Sequence, residues 1–172
     1  EGWKLYDKSL QIKDNYYSSI PFWKGEDLKK KKLLVYEDQG IGDSIQFSKF
    51  LFFLESLCND IRIEVRESAV SLFQKNILNL KVFKKKSNLN SDCDYKISFA
   101  SLNNFFFEQK NKNEKKLFKI EEELLSKWGK KINSKKLKVG LTWSGNLYGV
   151  NEPFRSIELE KLQKILSLDC DF

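Results

Sequence analysis

Leu33-Leu34-Val35-Tyr36-Glu37-Asp38-Gln39-Gly40-Ile41-Gly42-Asp43-Ser44-Ile45-Gln46-Phe47 is the stretch that decides the fold. Leu33 to Tyr36 is a continuous apolar run behind the lysines Lys29 to Lys32. Continuous rather than alternating apolarity predicts a central parallel strand buried on both faces. A glycine-containing loop, Glu37 to Gly42, follows it. A helix is then expected from Asp43 to about Leu57. Phe47, Phe50, Leu51, Leu54 and Cys58 fall on one of its faces, and Ser48, Lys49, Glu55 and Ser56 on the other.

Downstream, Ile61-Arg62-Ile63-Glu64-Val65 alternates and predicts the next strand. Ser68 to Leu78 reads as a helix, Val82-Phe83 as a short third strand, and Tyr95, Ile97 and Phe99 as a fourth strand before a loop at Ser101-Leu102. Ile120 to Trp128 reads as a helix, with Gly129 as its stop signal. Lys130 to Lys136 reads as a linker, Leu137 to Trp143 as a strand, and Ser144 to Pro153 as a loop. A last helix is expected from about Ser156 to Leu168, with Ser156 as its N-cap. Upstream, Trp3, Tyr6 and Leu10 have helical spacing, and Pro21 closes a connector.

Strand–helix alternation of this kind predicts an α/β protein with a Rossmann-like, mostly parallel sheet flanked by helices. The expected division is a helical lead-in at 1–20, a Rossmann-like domain at 21–130, a linker at 131–136, and at 137–172 the first strand and helix of an incomplete second domain.

Composition narrows the chemistry. Fourteen Phe supply a core, and no apolar run approaches the roughly 18 residues of a membrane span. There is no His, and Cys58, Cys93 and Cys170 lack metal-ligand spacing. A zinc site, a disulfide framework and a Ser-His or Cys-His catalytic pair are therefore disfavoured. Scattered, odd-numbered Cys fit a reducing compartment. The net charge of +7 has two readings: attraction to phosphates, nucleic acid or anionic lipid, or lysine decoration of loops. The lysine runs sit between apolar segments and lack the interleaved aromatics of a single-strand binder. The chain starts at Glu1 and contains no Met; it is read as a segment of a longer protein, expected to continue past Phe172 in strand–helix units.

Two loops join a strand's carboxyl end to a helix, the usual place for ligands in open α/β sheets. In Gln39-Gly40-Ile41-Gly42-Asp43-Ser44, glycines permit close backbone approach. Asp43 is a candidate acceptor of a substrate hydroxyl's proton, or else simply the cap of its own helix. The loop lacks both the full dinucleotide fingerprint and the Gly-Lys-Ser/Thr ending of a phosphate loop. In Thr142-Trp143-Ser144-Gly145-Asn146, followed by Arg155-Ser156, Arg155 is either a diphosphate clamp or an ordinary surface Arg beside a capping Ser.

Together, Phe22-Trp23-Lys24-Gly25-Glu26, the block Leu33 to Phe47, Val139-Gly140-Leu141-Thr142-Trp143-Ser144-Gly145-Asn146 and Arg155-Ser156-Ile157 resemble glycosyltransferase-like proteins. These are often fused behind tetratricopeptide repeats and are related to the ADP-heptose lipopolysaccharide heptosyltransferases. The most specific part is Gln-Gly-x-Gly-Asp-x-Ile-x-Phe. The resemblance runs from about Pro21 onward; residues before it would be the tail of a repeat region.

The resemblance implies a GT-B fold of two Rossmann domains. The first would bind the acceptor and the second a nucleotide-sugar donor, with no metal and no cofactor required. Asp43 matches the position of the general base. Gln39, Gly40, Gly42 and Gln46 would line the acceptor side of the cleft. Ser144, Gly145, Asn146, Arg155 and Ser156 would line the donor side. Leu147 to Phe154 departs from the polar pattern common in the family. The implied function is transfer of a hexosyl or heptosyl group to a glycan, lipid-linked or protein acceptor. The implied setting is cytoplasmic, with peripheral association at the inner membrane face left open and no nucleic-acid partner. This chain, holding only the start of the donor domain, is expected to be inactive alone. The alternative is a non-catalytic binding or scaffold module with a transferase-like fold.

Overall fold

The computed structural model describes residues 2–13, 18–77, 80–86, 92–109, 117–145 and 156–172. They fall into two compact units, Glu1–Lys119 and Ile120–Phe172.

The first unit is an α/β domain built on a four-stranded, wholly parallel sheet of order β3-β2-β1-β4. The strands are β1 (Lys32–Tyr36), β2 (Asp60–Val65), β3 (Lys81–Lys84) and β4 (Tyr95–Ser98). Helix α1 (Gly2–Lys13) precedes them. Between β1 and β2 the chain forms α2 (Ile41–Phe47), a 3-10 turn (Ser48–Phe50) and α3 (Leu51–Glu55). The helix expected from Asp43 thus begins at Ile41 and tightens at its centre. α4 (Glu67–Asn76) links β2 to β3.

β1 is central and fully buried from Leu33 to Tyr36, as its unbroken apolarity predicts. Leu33 and Val35 join Ile61, Ile63, Val65, Val82 and Ile97 on one face. Phe47, Phe50, Leu51 and Leu54 cover that face together with Ala69 and Phe73 of α4. Aromatic rings tighten the packing: Phe73 lies 5.7 Å from Phe99 and 5.5 Å from Phe118, measured between centroids. Leu34 and Tyr36 point the other way, into a smaller cluster with Ile20 and Cys93.

That second face holds a surprise. Leu34 pairs in register with Arg62 and Lys96, and Tyr36 with Glu64 and Ser98. Glu64 and Lys96 are each only 1% exposed. The Lys96 ammonium stands 4.5 Å from the Phe22 ring centroid, where the ring's negative face attracts it. Lys96 N–H donates to Pro21 O and Trp23 N–H to Lys96 O, both at 2.9 Å, so residues 21–23 cover the outer edge of β4.

Four regions differ from expectation. Ser101-Leu102 is helical, not a loop: a 3-10 turn (Ala100–Leu102) runs into α5 (Asn103–Phe106) and a second 3-10 turn (Phe107–Gln109). Its apolar residues explain this, since Ala100, Leu102 and Phe106 are buried in the main core. In the second unit, α6 (Glu122–Lys131) passes through Gly129 without stopping. An exposed helix tolerates one glycine at about 1 kcal/mol, and Lys130 and Lys131 complement the dipole of its last turn. The strand expected at 137–143 is reduced to a single parallel bridge, Lys138 with Asp171. A strand needs a ladder partner, and among the described residues of this unit only Asp171 supplies one. The last helix is likewise shorter than expected: a 3-10 turn (Leu159–Leu162) followed by α7 (Gln163–Leu166).

A charged belt lies at the amino ends of the strands. Asp92 takes the Lys32 ammonium and the Arg62 guanidinium, and Lys31 reaches Asp94 at 3.0 Å. Hydrogen bonds from Lys32 first, and then from Arg62, pull Asp92 down to about 2. A carboxylate held below its unfolded value of about 3.9 stabilises the fold fully above that pH. Its contribution disappears as the pH falls through about 2. Asp92→Asn should therefore flatten the fall in melting temperature between about pH 4 and pH 2. Thermal melts in that window check this, and added salt should shrink the difference because Asp92 is 53% exposed.

Among the described residues, no helix is long and apolar enough to cross a membrane. All three cysteines are free, with Cys58 and Cys93 buried.

Candidate functional site

The strand order reverses between β1 and β4, so the loops leaving these two strands diverge at their carboxyl ends. Ligands in open α/β sheets commonly bind beside such a switch point. The β1–α2 loop of residues 37–40 leaves one of the two strands and the turn at 98–102 the other, and helix α1 lies against both.

The β1–α2 loop is held from two directions. On the β2 side, Glu37 is buried, and Arg66 closes on it. The Arg66 Nε donates to Glu37 Oε1 at 2.7 Å, and the backbone N–H of Arg66 to Oε2 at 3.2 Å. The same guanidinium donates to Gln39 O at 3.0 Å, while Lys85 Nζ donates to Glu37 O at 2.9 Å. On the other side stands α1. The Tyr6 hydroxyl donates to Asp38 Oδ2 and accepts a hydrogen bond from Gln39 Nε2 at 2.7 Å. The next residue, Asp7, accepts from Ser101 Oγ at 2.5 Å and from Asn104 Nδ2 at 2.6 Å. Ser98 and Ser101 share a hydrogen bond of 2.8 Å. Trp3 anchors the start of α1 edge-on against Phe47, with centroids 5.5 Å apart.

Burial pushes the Asp38 carboxyl up, against hydrogen bonds from Tyr6 and Ser98 that pull it down; the nearby Asp43 charge raises it further. Burial, and then the bond to Asp38, hold the Tyr6 phenol well above its ordinary range.

Asp43 opens α2. Its Oδ2 accepts the Gly40 N–H at 3.1 Å, so the carboxylate closes the start of its own helix. A side chain at residue 40 would bring its Cβ to 3.3 Å from that oxygen, which is a reason for glycine there. Asp43 is half-buried, whereas Gln39, Gly42 and Gln46 are exposed. Gln39, Gly40, Gly42, Asp43 and Gln46 therefore all lie on one loop and the helix it opens.

Of the residues expected on the donor side, Ser144 is exposed, with its hydroxyl 3.4 Å from Gly145 O. Gly145 N–H donates to Ser156 Oγ at 3.1 Å, and Ile157 N–H to Trp143 O at 2.8 Å. Ser156 therefore clasps residue 145; Glu158 takes the N-cap position of the following 3-10 turn, with no side-chain cap bond. Asn146, Arg155 and the intervening 147–154 lie outside the described residues.

Asp38 and Tyr6 were not among the expected site residues; Asp7 and Asn104 help dock α1 beside them. One signal pointed to Tyr6: the helical spacing of Trp3, Tyr6 and Leu10. Nothing local says which surface that helix meets. No cluster of His, Cys, Asp and Glu able to hold a metal ion occurs among the described residues.

A stretch of 89 residues, 48% of this chain, is 30% identical to Protein FlbA of Caulobacter vibrioides (strain ATCC 19089 / CIP 103742 / CB 15). The match covers 15% of that protein's length. No protein-family model matches the chain, and no solved structure matches it.

Proposed function

We propose that this chain is part of a GT-B glycosyltransferase, with the first unit as its acceptor side. The observation that supports this reading is Asp43. It is a carboxylate in the first turn of α2, just after the glycine-bearing loop at the carboxyl end of the central strand and beside the sheet's switch point. The resemblance of the loop sequence supplies the reaction.

In this reading a hydroxyl of a glycan, lipid-linked or protein acceptor attacks the anomeric carbon of a nucleotide sugar. Its proton passes to Asp43 as the new C–O bond forms. The bond from the anomeric carbon to the diphosphate breaks, and its electron pair leaves on the nucleoside diphosphate. Ser144, Gly145, Asn146, Arg155 and Ser156 would hold the donor, with the Arg155 guanidinium offsetting the charge that develops on the leaving diphosphate.

The test is ligand stabilisation of the full-length protein by a panel of nucleotide sugars. At 100 times the dissociation constant, a bound donor adds about 2.7 kcal/mol. That corresponds to a rise of several degrees in melting temperature. If no nucleotide sugar or nucleoside diphosphate raises it, the transfer reading fails and a non-catalytic binding module takes its place.

A further inference from the structure

Gln39 is the exposed tip of a three-member hydrogen-bond chain: Gln39 Nε2 to Tyr6 Oη, and Tyr6 Oη to Asp38 Oδ2. The direction of this chain follows from chemistry. An ionised carboxylate can only accept, so the Tyr6 proton goes to Asp38. The Tyr6 oxygen is then left to accept, and the side chain that meets it must donate. Gln39 therefore turns its nitrogen to Tyr6 and leaves its carbonyl oxygen on the exposed side of the loop. The Gln39 backbone is fixed independently by the Arg66 guanidinium on its carbonyl. The side chain's orientation thus depends on Tyr6, a residue 33 positions away on α1.

We propose that Tyr6 and Asp38 are positioning residues that hold the Gln39 amide with its oxygen outward, so that the loop accepts a hydrogen bond from a ligand hydroxyl. Gln39 Oε1 on the loop and the Asp43 carboxylate in the first turn of α2 are then two acceptors four residues apart. That arrangement suits a neutral polyol and repels a phosphate. The choice of a sugar as the polyol rests on the transfer reading; the direction of the hydrogen-bond chain does not. Charged groups near the chain include Asp38 itself, Asp43 from α2, and Arg66, just before α4 and paired with Glu37.

The experiment titrates the full chain with glucose, galactose and mannose, and separately with inorganic pyrophosphate. The readouts are the amide signals of Gly40 and Gly42 and the side-chain amide signal of Gln39. At least one hexose is expected to shift the glycine signals, and pyrophosphate is not. Tyr6→Phe keeps the ring but removes the hydroxyl. It should move the Gln39 side-chain signal in the absence of ligand and weaken hexose binding about 3–10-fold, the ordinary worth of one net hydrogen bond.

Asp7→Ala separates positioning from mere docking of α1, because it removes the contacts to Ser101 and Asn104 without touching Gln39. It should leave hexose affinity within about twofold, as expected for a residue outside the chain. If Tyr6→Phe does not fold, Asp38→Ala takes its place: it removes the acceptor that directs the Tyr6 proton away from Gln39 and must move the same Gln39 signal. Equal weakening by the Tyr6 and Asp7 variants overturns the proposal. So does a glycine response to pyrophosphate alone, or to none of the hexoses. A hexose response without stabilisation by any nucleotide sugar keeps this proposal and removes the transfer reading.

Discussion

If the proposed transfer reaction is right, Asp43→Asn lowers turnover by the full-length protein about 10²–10⁴-fold, the usual contribution of a positioned general base. The substitution is clean because of where the carboxylate sits. Its Oδ2 accepts the Gly40 N–H at 3.1 Å, and an amide oxygen can make the same bond. Asn at this third helical position loses only the favourable interaction of the charge with the helix dipole, about 0.3–1 kcal/mol. Folding should therefore change little while proton acceptance is lost. Asp43→Ala removes both roles and should also cost about 1 kcal/mol of stability, the worth of the hydrogen bond that closes the start of α2. The check is a rate measurement paired with a thermal melt for each variant. Near-normal turnover by the Asn variant would reject the base role.

Phe73→Ala should have the largest effect on stability, about 3–5 kcal/mol. Phe73 is fully buried at the centre of α4, against Phe99 at the end of β4 and Phe118 beyond it. Removing its ring leaves a cavity among three segments that are far apart in sequence, and none can close it without moving a strand. Denaturant unfolding should show the loss as a lower midpoint with an unchanged slope. Leu5→Ala on α1, a position 62% exposed, is the matched control and should stay within about 0.5 kcal/mol. A loss at Phe73 no larger than at Leu5 would mean that the core is not packed as described.

Much of the sheet was legible from local pattern. The unbroken run at Leu33–Tyr36 reads as a strand buried on both faces, and the structure places it at the centre. The spacing of Phe47, Phe50, Leu51 and Leu54 names the residues that cover the sheet, although the helix they form is broken by a 3-10 turn. Ile61-Arg62-Ile63-Glu64-Val65 alternates and does form the next strand, with Glu64 buried although polar. Periodicity records which residues are apolar, but it does not record what covers the polar ones. Leu137 to Trp143 has strand composition without a strand, because a ladder depends on a neighbour that composition cannot name.

The same distinction divides the candidate site. The glycines, Asp43 and the helix that follows lie within a few residues of one another, so short-range sterics and capping determine them and the sequence states them directly. The junction of α1 with the carboxyl ends of β1 and β4 joins Tyr6 to Asp38 across 32 positions and Asp7 to Ser101 across 94. Those contacts exist only because sheet order 3-2-1-4 brings two distant strand ends side by side and leaves a polar crevice that an amphipathic helix can satisfy. Buried polar groups must find partners, and only the folded chain determines which partners are within reach.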